Sequence, residues 1–182
     1  MSPNESSARK QRLHRLDPTF YKDKAYVHWT FTTHKRRTGW LTDSFYQSFQ
    51  AQFTHLLVRY HQCCPVYCFM PDHAHFLFVG LNHRSNQLAL IQQLTRQWNE
   101  LIQPYELSRQ AYDNVLRERD RQQSAFADLV GYILRNPVRK NLVEHWQDWP
   151  YSGCSLPGYR TLDPRKDYFW KNFWKGYREQ AD

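Results

Sequence analysis

The chain has 182 residues, about the length of a single domain, and 41% of them are hydrophobic, which excludes disorder along the whole chain. A chain of this size can bury a sufficient core without a disulfide scaffold. Lysine and arginine number 25 against 17 aspartate and glutamate residues, which gives a formal net charge of +8. This surplus favours a polyanionic partner and leaves the fold undetermined.

Residues 1–20 are rich in polar and basic side chains, so we expect a disordered basic arm there. They show no apolar stretch typical of a secretory signal, and uncharged stretches elsewhere are far shorter than the roughly 20 residues of a membrane-spanning helix. The four cysteines, Cys63, Cys64, Cys68 and Cys154, are a poor disulfide framework for a chain of this length. We therefore expect a reducing, cytoplasmic location.

Residues 25–60 predict a strand followed by a helix. β-Branched and aromatic side chains over 25–33 favour the first strand. The basic cluster at 34–37 and Gly39 predict a loop that carries positive charge. The helix is capped by Thr42 or Asp43, and its apolar residues recur at helical spacing: Phe45, Phe49, Phe53, Leu56, Leu57 and Tyr60.

The following segment predicts two strands, 66–70 and 72–79, or one bent strand, because Pro71 cannot donate to a ladder. Beyond His75 the second segment is apolar on both faces, which is typical of a central strand. A second helix begins at Ser85 or Asn86, with its apolar stripe at Leu88, Ile91, Thr95, Trp98 and Ile102. A fourth strand follows over 111–117. Ser124 is expected to cap a third helix with apolar residues Phe126, Leu129, Val130, Ile133 and Leu134.

The order strand, helix, strand, strand, helix, strand is the pattern of a ferredoxin-like antiparallel sheet with packed helices. We therefore predict one α+β domain over residues 21–155, with an extra C-terminal helix that carries Tyr132. Residues 156–182 form an aromatic and basic tail, which Pro157 and Pro164 cut into short pieces and which we expect to wrap around the domain.

His73 and His75 form the most distinctive local pattern. Side chains at i and i+2 share one face of a strand, so these two imidazoles can converge on one cation. Two hydrogen-bonded core histidines are the alternative. The apolar neighbourhood favours a ligand, because each unsatisfied buried group costs about 1 to 3 kcal/mol. Spacing alone does not separate Mg²⁺, Mn²⁺ and Zn²⁺.

Tyr132 and Asn136 lie four residues apart at the end of the third helix, where i and i+4 side chains are neighbours. Both flank the apolar stripe, so a phenol and an amide would project together from the helix edge. The alternative is structural, because Asn136 followed by Pro137 is typical of the start of a short helix, here through Leu142. These residues alone leave both interpretations open.

Together these motifs resemble a known family. The residues that carry the resemblance fall in three segments: 68–77, 132–143 and 149–152. In this order they resemble the single-tyrosine HUH transposases, and the most similar branch is that of the REP-associated tyrosine transposases. The insertion-sequence branch has glutamine where this chain has Asn136, and Ala74 is smaller than the apolar residue usual between the two histidines.

The resemblance implies a site and a reaction. His73, His75 and Asn136 would hold a divalent ion, Mg²⁺ or Mn²⁺, and Tyr132 would cleave single-stranded DNA beside a hairpin through a covalent 5′-phosphotyrosine. It also implies a bacterial protein that lies at the nucleoid when bound to DNA. Eight basic residues are candidates for contacts with DNA phosphates: Lys35, Arg36, Arg37, Arg96, Arg117, Arg135, Arg139 and Lys140.

Two other functions are compatible with the sequence. The first is a catalytically silent protein of the same fold that binds DNA or RNA hairpins. The second is a structural zinc site formed by Cys63, Cys64, Cys68 and one histidine, for which the spacing is poor. The sequence leaves open whether the chain is a monomer or a homodimer, and whether Tyr132 would act within its own subunit or across a dimer.

Overall fold

The structure is a computed structural model that describes residues 14–117 and 124–181, except the side chain of Ser124. The strands are β1 (Tyr26–Thr32), β2 (Gln62–Met70), β3 (His73–Gly80), β4 (Tyr112–Leu116) and β5 (Ser152–Ser155). The helices are α1 (Asp43–Arg59), α2 (Gln87–Leu101), α3 (Ser124–Leu134), α4 (Asn136–Arg139) and α5 (Phe169–Gln180). Short 3₁₀ turns occupy Pro18–Tyr21, His34–Arg36 and Trp146–Asp148.

The five strands form one antiparallel sheet in the order β4-β1-β3-β2-β5. The first four strands, with α1 and α2 between them, confirm the predicted ferredoxin-like α+β arrangement. Sequence patterns did not predict β5, because its four residues, Ser-Gly-Cys-Ser, have little β-propensity. Tertiary contacts hold this strand: the indole of Trp149 donates to the carbonyl of Phe69 at 2.7 Å, and the amide of Phe69 donates to the carbonyl of Tyr151 at 2.9 Å.

Side-chain caps fix where the first two helices begin. The hydroxyl of Thr42 accepts a hydrogen bond from the amide of Phe45 at 3.1 Å, and the side-chain oxygen of Asn86 accepts one from the amide of Ala89 at 3.1 Å. These bonds show that Thr42, rather than Asp43, is the N-cap of α1. They also show that Asn86, rather than Ser85, is the N-cap of α2. The predicted stripe of α1 is buried except for the half-buried Tyr60.

The buried stripe of α2 differs from the prediction. The residues that face the core are Gln87, Leu90, Ile91, Leu94 and Trp98, whereas Leu88 and Thr95 are half-buried. Gln87 can be buried because its amide is satisfied on both sides. It accepts from the indole of Trp29 at 2.9 Å and donates to the carbonyl of Ala25 at 2.9 Å. Apolar periodicity cannot identify such a glutamine as a buried residue, because its side chain is polar.

Two layers of helices cover the sheet. Helices α1 and α2 pack on one face, against Trp29, Phe31, Phe69 and Phe76 among others. Helices α3 and α5 pack on the opposite face. Strand β3 is buried along its whole length, as predicted for a central strand.

The tail contains an element that the sequence pattern did not predict. Helix α5 runs for 12 residues, and Phe169, Phe173 and Tyr177 pack against Cys63 and Val79 of the sheet. The prediction of short pieces was wrong because the prolines all lie before this helix and none interrupts its i, i+4, i+8 spacing.

Residues 1–13 of the predicted N-terminal arm lie outside the described residues. The part that is described contacts the edge of the sheet. The guanidinium group of Arg15 donates to the carbonyl of Ala111 at 3.2 Å, lies 3.7 Å from a carboxylate oxygen of Asp113, and stacks 4.7 Å from the ring centroid of Trp29. These contacts position residues near the start of the domain beside β4.

Candidate active site

One cavity of about 830 Å³ lies on the sheet face that α3 covers. It contains the two motif histidines, the tyrosine and the asparagine, together with polar residues of β1, β4 and the basic loop. The lining residues are His28, Thr30, Thr32, Arg36, His73, His75, Tyr112, Asn114, Tyr132, Asn136, Arg139 and Lys140. The site is therefore assembled from three strands and from both sides of the α3–α4 junction.

His73 and His75 lie side by side on β3, as alternate residues of a strand must. Their ring centroids are 4.9 Å apart, and both side chains are buried. Strand β1 pairs with them in antiparallel register, with Thr32 opposite His73 and Thr30 opposite His75. Since Ala74 points to the other face and packs in the aromatic core, a small residue there is compatible with the site.

Asp72 orients the first histidine. Its carboxylate lies 2.6 Å from Nδ1 of His73, and it also accepts a hydrogen bond from Arg36 at 3.1 Å. Burial alone would raise the pKa of Asp72, but the hydrogen bonds from His73 and Arg36 outweigh it and lower that pKa. An ionised carboxylate on Nδ1 leaves Nε2 of His73 as the nitrogen available to a ligand.

His75 contacts a histidine that motif reasoning missed. Nε2 of His28 lies 3.0 Å from Nδ1 of His75, and the hydroxyl of Thr30 lies 3.1 Å from the same nitrogen. Burial lowers the pKa of His28 to about 4. The pKa of His75 falls to about 2, chiefly through burial and further through the nearby charges of His28, His73 and two arginines.

A period-2 pattern on β1 was the signal that could have identified His28. His28, Thr30 and Thr32 alternate with the buried apolar residues Val27, Trp29 and Phe31, so a polar face was visible in the sequence. Which residues of β3 lie beside this polar face depends on the register between β1 and β3. The sequence did not specify that register.

Tyr132 reaches the histidines from α3. Its ring centroid lies 5.6 Å from that of His75 and 6.3 Å from that of His28, and 38% of the residue is exposed. The guanidinium carbon of Arg139 lies 4.7 Å from the ring centroid of Tyr132, a cation–π contact. The phenol is thus held against the histidines and is accessible from the cavity.

Asn136 begins the short helix α4, as the structural interpretation of its Asn-Pro pair predicted, although the helix ends at Arg139 rather than Leu142. The residue before it, Arg135, takes the N-cap position, and Asn136 is buried. Its amide nitrogen donates to the carbonyl of Tyr132 at 2.9 Å. Since this bond occupies Nδ2, Oδ1 is the atom that could act as a ligand. The structural interpretation is therefore correct in that Asn136 starts α4, and the role of Asn136 as a ligand remains a prediction.

The eight basic candidates are dispersed. Arg36, Arg139 and Lys140 line the cavity. Arg96 bonds to Gln93 on α2, which covers the opposite face of the sheet. The remaining candidates lie outside the lining: Arg37 stacks near the ring of Tyr105, Arg135 lies against Gly131, Arg117 lines a separate cleft with Lys22 and Lys24, and Lys35 is exposed.

The cysteines do not converge. Cys63, Cys64 and Cys68 are buried in three different clusters, with α5, α1 and α3 respectively. Alternation along β2 directs neighbouring thiols to opposite faces of the sheet. Among residues 14–117 and 124–181, no group of three or more His, Cys, Asp or Glu side chains could hold a metal ion. The structure therefore argues against the alternative of a cysteine zinc site.

The donor set in the cavity fits a divalent ion bound by two imidazoles and an amide oxygen. Nε2 of His75 is shielded from solvent and has no hydrogen-bond partner within the described part of the chain. A buried polar atom of this kind is costly unless something binds it. Asp72 occupies Nδ1 of His73, and Asn136 retains Oδ1, so both neighbours can also offer a lone pair.

Comparisons with known proteins agree with the motif pattern. No family model matches the chain. A protein of Haemophilus influenzae (strain ATCC 51907 / DSM 11121 / KW20 / Rd) named REP-associated tyrosine transposase is 27% identical over 138 residues, which cover 68% of this chain and 76% of that protein. The resemblance to REP-associated tyrosine transposases is thereby confirmed.

A solved structure shows the same fold. It is described as a REP-associated tyrosine transposase bound to a REP hairpin, and it matches with a TM-score of 0.64 at 17% identity, over 78% of this chain and 81% of the other. At this identity the likeness concerns the fold. Within the described residues, no helix has the length and apolar character needed to cross a membrane.

Proposed function

We propose that this chain is a metal-dependent nuclease and strand transferase that cleaves single-stranded DNA beside a hairpin and forms a covalent 5′-phosphotyrosine through Tyr132. The observation that carries the proposal is the position of the phenol ring, 5.6 Å from the ring of His75 in the same cavity. Two histidines, an amide and a tyrosine that are far apart in sequence meet there within one chain. We therefore also propose that Tyr132 acts in its own subunit.

His73, His75 and Asn136 would hold the ion, through the two Nε2 atoms and Oδ1. A divalent ion bound there would polarise the scissile phosphate and stabilise the charge that develops on it. The protein contributes the arrangement of these donors: Asp72 fixes the ring of His73, and the carbonyl of Tyr132 fixes the amide of Asn136. The ion that we propose is Mg²⁺ or Mn²⁺, as the resemblance to the REP-associated tyrosine transposases implies.

Tyr132 would act as the nucleophile. Its hydroxyl oxygen forms a bond to the phosphorus as the bond from phosphorus to the 3′-oxygen breaks. The phenol loses one proton and the leaving 3′-oxygen gains one, so the products are a 5′-phosphotyrosine and a free 3′-hydroxyl. Because the tyrosyl ester retains the phosphodiester energy, the 3′-hydroxyl of another strand can displace Tyr132 without ATP.

Cationic side chains at the cavity would bind the DNA backbone. Arg139 and Lys140 are exposed, and so is Arg36. Their charges can contact phosphates without reading the sequence of the strand. Arg139 also stacks on the ring of Tyr132, so the same guanidinium group can hold the nucleophile beside a bound phosphate. The hairpin in the structural relative supports a hairpin as the partner here.

The experiment is a covalent trapping assay. Labelled single-stranded DNA with inverted repeats from the DNA flanking the gene is incubated with the protein and Mg²⁺ or Mn²⁺. We expect an adduct that survives denaturation, appears only with metal, and is lost in Tyr132→Phe. Hairpin affinity should be retained in this variant, because phosphate contacts supply most of the binding.

Two tyrosine controls sharpen the assay. Tyr112 also lines the cavity and is more exposed than Tyr132, so Tyr112→Phe tests a competing nucleophile. Tyr168 is an exposed tyrosine beside α5, and Tyr168→Phe should leave the adduct unchanged. An adduct that persists in Tyr132→Phe and disappears in Tyr112→Phe would contradict the assignment. Tight hairpin binding without any adduct would favour the catalytically silent alternative.

A further inference from the structure

His28 has a specific relation to the histidine pair that its own sequence context does not reveal. It lies on β1 and lines the cavity, with its ring centroid 5.1 Å from that of His75. The contact is polar, because Nε2 of His28 lies 3.0 Å from Nδ1 of His75. The hydroxyl of Thr30 approaches the same Nδ1 at 3.1 Å.

A single proton must lie between the two facing nitrogens, because two neutral imidazoles share one donor and one acceptor across such a contact. If His28 donates from Nε2, then His75 carries its own proton on Nε2 and has no lone pair there. If His75 donates from Nδ1, its Nε2 keeps a lone pair. Only the second arrangement lets His75 act as a ligand through the nitrogen that is otherwise without a partner.

We propose that His28 is a positioning residue that accepts the Nδ1 proton of His75 and so keeps the Nε2 lone pair of His75 available to a divalent ion. His28 then carries its own proton on Nδ1. The proposal rests on the proposed function, because the contact allows either direction and only a ligand role for Nε2 of His75 selects the one in which His75 donates. Thr30 provides a second, weaker acceptor for the same proton.

The two histidines of the pair are thus held by different means. The carboxylate of Asp72 engages Nδ1 of His73, and a neutral imidazole engages Nδ1 of His75. Both contacts leave Nε2 for the ion, which is the common arrangement of an outer partner that fixes a ligand's tautomer and ring orientation. A carboxylate beside His75 would place a charge among buried groups, whereas a histidine fulfils the same role without one.

A purely structural role for His28 predicts a different result. In that case the ring only fills space between β1, His75 and Tyr132, and Phe should replace it as well as any residue. A positioning role requires an acceptor, so His28→Gln should restore what His28→Phe loses. These two variants separate the roles, and His55→Gln, on the exposed side of α1, is the matched histidine control.

The first measurement uses the metal-free protein and determines the imidazole tautomers by ¹⁵N NMR. We expect His75 to carry its proton on Nδ1 in the wild type and in His28→Gln, with a smaller Nδ1–H fraction in His28→Phe. A wild-type His75 protonated on Nε2 would overturn the proposal. So would an unchanged tautomer in His28→Phe.

The second measurement is a Mn²⁺ titration followed by electron paramagnetic resonance. We expect the Kd to rise about 10- to 100-fold in His28→Phe and to remain near the wild-type value in His28→Gln and His55→Gln. Equal weakening in His28→Phe and His28→Gln would overturn the positioning role. A wild type that binds no Mn²⁺ would contradict the proposed function, and the tautomer measurement would then decide the role of His28 by itself.

Discussion

Lowering the pH from 7 to 5 in the presence of a chelator should destabilise the folded chain through His28 and His75. Burial lowers the pKa of His28 to about 4, and burial together with the nearby His28, His73, Arg139 and Arg36 lowers that of His75 to about 2, from an ordinary 6.5. At pH 5 both rings are therefore neutral when folded and protonated when unfolded. The unfolded state binds more protons, so the free energy of unfolding falls as the pH drops below 6.5.

The expected magnitude follows from the distance between pH 5 and the unfolded pKa. The assay pH of 5 lies 1.5 units below the unfolded pKa of 6.5, and each unit corresponds to roughly 1.4 kcal/mol. Each histidine therefore lowers the free energy of unfolding by about 2 kcal/mol. Together the pair should contribute about 4 kcal/mol. Because the folded pKa values, about 4 for His28 and about 2 for His75, both lie below 5, the loss is set mainly by the pKa of the unfolded state.

The assay is urea denaturation at pH 7 and pH 5, for the wild type and for His28→Phe. The variant lacks one of the two titrating rings, so its loss between the two pH values should be smaller by about 2 kcal/mol. Groups distant from His28 titrate equally in both proteins and cancel in the comparison. The same pH dependence in both proteins would refute the inference that burial keeps His28 neutral.

Three sets of substitutions test the site and the fold. His73→Ala or His75→Ala should abolish DNA cleavage while changing hairpin affinity by no more than a few fold, measured by gel shift, and an equal collapse of both would indicate a structural pair. Gly80→Ala should lower the free energy of unfolding by about 1 to 3 kcal/mol, since an added Cβ would collide with the carbonyl oxygen of Asp23. Wild-type stability would disprove that close approach. Phe49→Ala should lower the free energy of unfolding by about 3 to 5 kcal/mol in urea denaturation. Val58→Ala, at an exposed position of the same helix, should lower it far less. Similar losses in the two variants would show that the two faces of α1 were misassigned.

Local patterns predicted most of the elements but not all their partners. The patterns of α1 and β1 were sufficient, because their apolar periodicity reflects which face is buried. The continuous apolar run of β3 was sufficient as well, because a central strand is buried on both faces. Apolar periodicity did not predict β5, because this strand is held by the pairing of its backbone and by the indole of Trp149. Apolar periodicity also missed the buried Gln87 of α2, because the burial of Gln87 depends on a tryptophan 58 residues away.

The amino-acid sequence by itself determined the chemistry at hand: two imidazoles on one strand face, a phenol followed four residues later by an amide, and a basic loop. These are local properties, since i and i+2 on a strand or i and i+4 on a helix share a face wherever the element lies.

Only the tertiary structure decided that these groups meet. The antiparallel register of β1 with β3 brings His28 to Nδ1 of His75, and the packing of α3 on that sheet face brings Tyr132 to the same ring. The fold gathers three of the eight basic candidates at the cavity and leaves Arg96 on the opposite face. Register and layer order arise from contacts between distant segments, which no local pattern encodes.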